Sequence, residues 1–156
     1  SYIDGLFVTA FLKRSVIKQT YFYAKRKHIK NRFLNFMANK NNVIIMDLNQ
    51  DLKESIQKMA EVLKQGKKII IFPEGTRSKN GELGDFKKTF AILSKELNVP
   101  VVPVAITGAY NALPSGSRFP RPFTKIRVSF LQPVYPEGLS FENLTEKVKN
   151  LISEKV

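Results

Sequence analysis

Residues 67–78 of the chain read Lys-Lys-Ile-Ile-Ile-Phe-Pro-Glu-Gly-Thr-Arg-Ser. The apolar part of this stretch is short and β-branched, which predicts a buried strand over Lys67–Phe72. The strand leads directly into Pro73–Ser78, where proline and glycine predict a loop. In parallel sheets, ligands bind beyond the carboxyl ends of the strands. This loop is therefore the first place to look for a functional site.

Helices and strands alternate on both sides of this stretch. Leu52, Ile56, Met59 and Leu63 recur at helical spacing, and Gly66 follows as a helix stop. Alternation in units of roughly 30 residues implies right-handed βαβ crossovers. The sequence predicts a single α/β domain over residues 1–156, with a central, largely parallel β-sheet flanked by helices. The other predicted helices are Asp4–Leu12, Ile29–Ala38, Phe86–Leu97 and Leu144–Ile152, and the other strands are Gln19–Ala24, Val43–Met46, Val101–Ile106 and Ile126–Phe130.

The composition limits the function further. The 156 residues include 26 Lys and Arg against 13 Asp and Glu, a formal net charge of +13. This excess calls for an anionic partner, either nucleic acid, an acidic membrane surface or a phosphorylated substrate. The absence of cysteine excludes a disulfide framework, a thiolate metal site and a cysteine nucleophile. No window approaches the apolar length of a membrane span.

The loop after the predicted strand contains groups that suit a phosphate. Gly75 lets the backbone turn and expose its amides, and Thr76 and Ser78 add hydroxyl donors. Arg77 supplies a planar fork for bidentate contact with a phosphate. The glycine spacing differs from that of a Walker A loop. The alternative is a turn in which Glu74 caps backbone amides and pairs with Arg77 at the surface.

The string Phe72–Ser78 resembles the signature block of the glycerolipid acyltransferases. Three other blocks agree in order and spacing, since Tyr23–Lys25, Val43–Asp47 and Val99–Ile106 are similar to further blocks of that family. The resemblance covers almost the whole chain. It implies transfer of a fatty acyl group from an acyl thioester to a hydroxyl of a lysophospholipid or glycerol-phosphate acceptor, in phospholipid biosynthesis or remodelling.

The family's first block is His-x4-Asp, and Ser1–Asp4 resembles its second half. The resemblance implies that Asp4 orients an imidazole, which removes the acceptor's hydroxyl proton as a general base. We expect the histidine two positions before Ser1, so the domain is expected to be truncated within this motif and a poor catalyst as it stands. Asp4 can also serve as a helix N-cap, and the two roles are compatible. His28 matches no block of the family and is expected at the solvated surface.

The resemblance also implies a phosphate site. Arg77 and Lys25 receive the acceptor's phosphate, while Glu74, Gly75 and Thr76 shape the loop and its hydrogen bonds. Lys25 can alternatively belong to a solvated basic face with its neighbours. The family's second block often ends in Asp-Arg, whereas Leu48 follows Asp47 here. In this respect the chain looks more like the acyltransferase portion of bifunctional acylglycerophosphoethanolamine acyltransferases, which are fused to an adenylate-forming acyl synthetase domain.

The resemblance implies no metal and no cofactor, with acyl-CoA or acyl carrier protein as co-substrate. It implies peripheral attachment to an anionic membrane surface on the cytoplasmic face, and no nucleic acid. A different class of function remains open, because aromatic residues among basic ones also suit a non-catalytic module that binds single-stranded nucleic acid.

Two further segments carry a functional expectation. Tyr21–Tyr23, the basic run Lys25–Lys27 and the apolar residues of Ile29–Met37 predict a patch that meets anionic headgroups, or alternatively a helix whose apolar side faces the core. Asn111–Thr124, with Arg118 and Arg121, is a long segment predicted to lack secondary structure, and such loops are more often functional than accidental.

Overall fold

The computed structural model describes residues 2–25, 43–46, 52–76, 78, 80–112, 121 and 123–156. The chain divides into two compact units, one formed by Leu12–Phe72 and the other by Ser1–Phe11 with Pro73–Val156. No helix among the described residues is long and apolar enough to cross a membrane. The helices are α1 (Tyr2–Ala10), α2 (Arg14–Ile17), α3 (Leu52–Lys64), α4 (Thr89–Leu97), α5 (Ala109–Ala112) and α6 (Phe141–Ser153), and the strands are β1 (Thr20–Lys25), β2 (Val43–Met46), β3 (Lys68–Ile70), β4 (Val104–Thr107) and β5 (Arg127–Phe130).

The unit Leu12–Phe72 contains a parallel sheet in the order β2-β1-β3. Tyr23 pairs with Ile44 of β2, and Tyr21 pairs with Ile69 of β3. Parallel neighbours need a crossover, and α3 lies between β2 and β3 in the chain. Met59 of α3 is fully buried. These strands and α3 confirm the α/β fold and the parallel sheet predicted from the sequence.

Strand β3 is shorter and less buried than predicted. It covers only Lys68–Ile70, with Lys68 exposed and the two isoleucines half-buried, so the prediction of a buried strand over Lys67–Phe72 was wrong. Among the described strands β3 stands at one end of the sheet order, with a neighbour on one side only. Pro73 lacks an amide donor and restricts the residue before it, which favours an early end of the pairing.

The other unit contains an antiparallel pair of strands and two long helices. Ala105 of β4 pairs with Ser129 of β5, and α4 packs against α6. Its core includes Ala91, Leu93 and Leu144, which are almost completely buried. α6 begins after Ser140, whose hydroxyl accepts a hydrogen bond of 3.0 Å from the amide of Asn143. The sequence did not predict this antiparallel pair, which forms a separate two-stranded sheet.

Several predicted boundaries shift. The strand predicted over Val101–Ile106 begins at Val104, and Val101 forms only an isolated bridge with Val134. Pro103 supplies no amide to a ladder, which explains the late start. The helix predicted from Phe86 begins at Thr89. The helix predicted over Ile29–Ala38 lies outside the described residues.

Candidate active site

Helix α1 carries Asp4. The helix begins at Tyr2, so Asp4 lies in its first turn and the prediction of an N-cap at this position was wrong. Tyr2 and Ile3 already adopt helical backbone, which moves the start of the helix two residues ahead of the carboxylate. Asp4 is half-buried, and side chains on a helix tilt toward its N-terminus.

A loop that we call the Glu74 loop, formed by the described residues of Pro73–Lys88, carries the second set of candidate residues. The loop closes on itself, because the amide of Lys87 donates a 2.9 Å hydrogen bond to the carbonyl of Pro73. Inside it, the amide of Gly84 donates to Glu74 Oε2 at 2.8 Å. A side chain at position 84 would place its Cβ 3.0 Å from this oxygen. The carboxylate of Glu74 thus holds the loop together, as both the resemblance and the alternative of a capped turn would have it.

Gly75 occupies the position of the loop that only glycine adopts readily. Its φ of +69° lies in the left-handed region, which L side chains rarely adopt. A Cβ at this position would lie 3.3 Å from both Cε and Nζ of Lys87. The Lys87 side chain therefore crosses directly over Gly75 and brings an ammonium group to the loop.

Lys87 was missed by sequence reasoning. The predicted helix Phe86–Leu97 included Lys87. Because α4 begins only at Thr89, Lys87 belongs to the loop instead. The neighbouring Lys88 is in a different environment, because its ammonium group forms an ion pair with Glu142 at 2.6 Å. The signal that could have identified Lys87 is its position in the sequence, because it follows the signature block Phe72–Ser78 closely enough to belong to the same loop.

The hydroxyl groups of the loop divide into two kinds. Ser78 Oγ accepts from the amide of Gly81 at 2.8 Å and lies 3.1 Å from Asn80 Oδ1 as a donor. Ser78 therefore shapes the turn instead of offering a free donor to a phosphate, contrary to our expectation. Thr76 is exposed. The tip of the loop packs on α5, because a Cβ at Gly81 would lie 3.2 Å from the Tyr110 ring.

Two predicted phosphate ligands stay predictions. Arg77 lies outside the described residues. Lys25 ends β1, with its backbone in register with Met46, but its side chain lies outside the described part of the chain. Lys25 belongs to the other unit, so its approach to the Glu74 loop is also untested. Leu48, His28 and Arg118 lie outside the described residues as well.

Tyr23, the aromatic residue of the Tyr23–Lys25 block, links β1 to α3. Burial raises the pKa of its phenol, and a hydrogen bond with Ser55 acts in the opposite direction. Ser55 is only 3% exposed, so this polar pair lies inside its unit. Tyr23 thus has a structural role. Among the described residues, no three His, Asp or Glu side chains converge as ligands for a metal.

Comparison with known proteins identifies the family. The model of the family described as Acyltransferase matches residues 1–107, which include α1 and the whole Glu74 loop. A chloroplastic 1-acyl-sn-glycerol-3-phosphate acyltransferase of Brassica napus is 34% identical over 103 residues, covering 66% of this chain and 29% of that protein. An enzyme of the same name from Cocos nucifera is 37% identical over 97 residues, covering 62% of this chain and 31% of that protein.

A solved structure agrees with these relatives. The crystal structure of the 1-acyl-sn-glycerophosphate acyltransferase PlsC from Thermotoga maritima matches with a TM-score of 0.76 and 31% identity, covering 88% of this chain and 55% of that one. The chain thus spans about a third of the length of the plant relatives and about half of the solved protein. With the family match over residues 1–107, these similarities show that the chain belongs to the Acyltransferase family.

Proposed function

We propose that the chain forms the catalytic domain of an O-acyltransferase that moves a fatty acyl group from an acyl thioester to a hydroxyl of a lysophospholipid. The observation that carries the proposal is the Glu74 loop. Its carboxylate is engaged by the Gly84 amide, and the Lys87 ammonium lies over Gly75. The Glu74 carboxylate is occupied by a backbone amide, whereas the Lys87 ammonium lies close to the turn at Gly75. A loop of this kind is suited to an anionic substrate. The relatives named as acylglycerol-phosphate acyltransferases take a substrate of this kind by name.

The chemistry requires a base, because an alcohol is a weak nucleophile. In the proposed step, the acceptor hydroxyl loses its proton to an imidazole while its oxygen attacks the thioester carbonyl. The tetrahedral intermediate then collapses, the thiol leaves with the proton, and an ester remains. The role of Asp4 is to hold and stabilise that imidazole, which we place five positions before it. Its place in the first turn of α1, close to the position where the imidazole would lie in the sequence, supports this role.

The acceptor's phosphate is proposed to lie at the Glu74 loop, with Arg77 and Lys87 as ligands and Lys25 as a third cation. Because Leu48 is uncharged, Lys87 would supply the positive charge that the resemblance places in the arginine often found at the end of the second block. A phosphate monoester carries more negative charge than a diester and gains more from an added cation. The names of the relatives and Lys87 thus favour lysophosphatidate as the acceptor, while Leu48 favours an acylglycerophosphoethanolamine.

The remaining parts of the proposal concern the donor and the location. The donor is an acyl thioester of coenzyme A or acyl carrier protein, with no further cofactor. The protein is proposed to act peripherally at an anionic membrane surface on the cytoplasmic face. A fused adenylate-forming synthetase domain stays a prediction from the sequence.

The direct test is release of free thiol from acyl-CoA or acyl carrier protein in the presence of each acceptor. It uses a chain extended before Ser1 by Asn-His-x, the residues that would complete the His-x4-Asp motif, alongside the present chain. We expect thiol release that depends on the acceptor and is far faster in the extended chain. Arg77→Ala should lower kcat/KM about 100-fold, or about 3 kcal/mol, because a charged contact to the phosphate is lost. Equal rates with and without the upstream residues would refute the assignment of the base.

A further inference from the structure

A short turn held against helix α5 presents an aromatic side chain to solvent. We call it the basic turn, defined by its described residues Arg121, Phe123, Thr124 and Lys125. The side chain of Phe123 has a relative exposure of 104%, greater than that of any other large apolar residue described. Its φ of +61° lies in the left-handed region, where a bulky residue is an outlier. Nothing in the packing of the described residues accounts for this projection.

The basic turn is anchored at both ends. The amide of Arg121 donates to the carbonyl of Ala112 at 2.7 Å, and Thr124 Oγ1 donates to the carbonyl of Arg121 at 3.2 Å. At the other end, the Lys125 carbonyl approaches Gly108 so closely that a Cβ there would lie 2.2 Å from the oxygen. Strained backbone persists only where its surroundings hold it in place. These contacts therefore hold the backbone of the turn from which Phe123 projects.

The surroundings of Phe123 are cationic. Arg121, Lys125 and Arg127 are all exposed, and none of them has a carboxylate partner among the described residues. These three cations lie within four residues of Phe123 along the chain, and the chain as a whole has a net charge of +13. An apolar group among unpaired cations is complementary to an anionic interface with an apolar layer beneath it.

The basic turn is also connected to the proposed site. Helix α5 holds the turn through the Ala112 carbonyl, and its Tyr110 ring lies against Gly81 of the Glu74 loop. The basic turn and the loop that would hold the acceptor thus both contact the four-residue helix α5. The predicted membrane patch of Tyr21–Met37 belongs to a different part of the sequence.

We propose that the basic turn is a membrane-docking element, in which Phe123 enters the headgroup region of an anionic bilayer while Arg121, Lys125 and Arg127 contact its phosphates. The proposal rests on the proposed function in one respect, since the lysophospholipid acceptor of that reaction is an amphiphile that resides at a bilayer. One projecting ring is too small a surface for a stable protein partner, which buries on the order of 800 Å² per side. A lipid surface requires no such minimum area, because each inserted group contributes independently to the free energy of partitioning into the bilayer.

Cosedimentation with vesicles tests the apolar part. The vesicles contain equal amounts of phosphatidylglycerol and phosphatidylcholine, and no donor or acceptor is added. Phe123→Ala should lower the partition about tenfold, since a half-inserted ring contributes about 1.4 kcal/mol. Tyr135→Ala is the matched control, because Tyr135 is another exposed aromatic residue, 61% exposed, outside the basic turn. It should leave the partition unchanged, and an equal fall in both variants would overturn the proposal.

The charged part has its own matched pair. Arg121→Gln with Lys125→Gln should lower binding roughly 30-fold, at about 1 kcal/mol for each cation near the surface. Lys147→Gln with Lys155→Gln removes the same charge from the exposed end of the chain and should have much less effect. Both effects should shrink in high salt and disappear on pure phosphatidylcholine. Similar losses in the two double variants would show that net charge alone attracts the protein, and would overturn the proposal.

Two further measurements separate membrane docking from a structural role and from nucleic-acid binding. Phe123→Gly removes the strain of the left-handed backbone. The thermal midpoint of this variant should therefore be at least that of the parent, while its vesicle binding falls. A lower midpoint with unchanged binding would indicate a structural role and overturn the proposal. Binding to a single-stranded oligonucleotide that falls with Phe123→Ala, while vesicle binding does not, would favour a nucleic-acid partner instead. Vesicle binding is scored without turnover, so an absence of acyl transfer would refute the proposed function and leave this test intact.

Discussion

The Glu74 loop and the basic turn contact the same short helix, α5, but use their side chains in opposite ways. In the Glu74 loop, Glu74 and Ser78 bond to the loop's own amides. In the basic turn, Phe123 and its cationic neighbours face solvent, and only backbone groups and one threonine hold the turn. The first region is built to keep its geometry with little help from a partner. The second is built to present groups to a partner that the protein itself does not supply.

The largest expected effect comes from the glycine that holds the basic turn. Gly108→Ala would place a Cβ 2.2 Å from the Lys125 carbonyl, at a φ of +82°. Strain and overpacking together should destabilise the protein by about 3 kcal/mol. Gly138→Ala is the matched control, because its φ is +71° with nothing within 4 Å of the added Cβ. Thermal unfolding should show a clearly larger fall for Gly108→Ala, and equal falls would contradict the close anchoring of the turn.

The second prediction concerns the Glu74 loop. Gly75→Ala introduces the same backbone strain as Gly138→Ala, about 1–2 kcal/mol, and in addition pushes on the Lys87 side chain. The two variants should therefore lose similar stability, while acyl transfer falls roughly tenfold only in Gly75→Ala. Parallel measurement of thermal midpoints and of kcat/KM, both in the chain extended before Ser1, separates the two effects. Activity that merely follows stability in both variants would argue against a functional loop.

The smallest effect concerns the ion pair beside the loop. The hydrogen bond from Lys88, together with a backbone amide and the lysine's charge, lowers the pKa of Glu142. A carboxyl with a lowered pKa in the folded state stabilises the protein above its ordinary pKa near 4.5, and this contribution is lost as pH falls through the lowered value. Glu142→Gln should thus lower the thermal midpoint slightly at neutral pH and not at strongly acidic pH.

Glu146→Gln is the control for this pair, because Glu146 lies one turn further along α6 without an ion pair among the described residues. It should have no comparable pH-dependent effect. A difference between parent and Glu142→Gln that persists unchanged into acid would contradict the assigned cause.

Local patterns predicted the elements whose signal lies within a few residues. The spacing of Leu52, Ile56 and Met59 predicted α3 closely, and Gly66, with a φ of +72°, ends it as expected. The apolar run Val43–Met46 predicted β2 with the observed bounds. The prediction that Glu74 and Gly75 shape a loop came from the signature block; in the structure Glu74 accepts from the Gly84 amide and Gly75 has a positive φ.

Features that depend on distant contacts could not be predicted in this way. The antiparallel pairing of β4 with β5 depends on which strand lies alongside, and nothing local to Val104–Thr107 specifies it. Lys87 was assigned to a helix because Phe86 continues the apolar spacing of α4. Its true place depends on the bond from its amide to Pro73, many residues earlier in the chain. The exposure of Phe123 depends similarly on the approach of Lys125 to Gly108.

The central claim is that the Glu74 loop binds the acceptor's phosphate, and the two adjacent lysines of this loop test it most directly. Lys87 lies over Gly75, whereas Lys88 is paired with Glu142. KM for lysophosphatidate is measured for Lys87→Ala and Lys88→Ala in the chain extended upstream of Ser1. The account predicts that Lys87→Ala raises KM about tenfold, at about 1.4 kcal/mol for one cation–phosphate contact, and that Lys88→Ala leaves it unchanged. An unchanged KM for Lys87→Ala, or an equal rise in both variants, would contradict it.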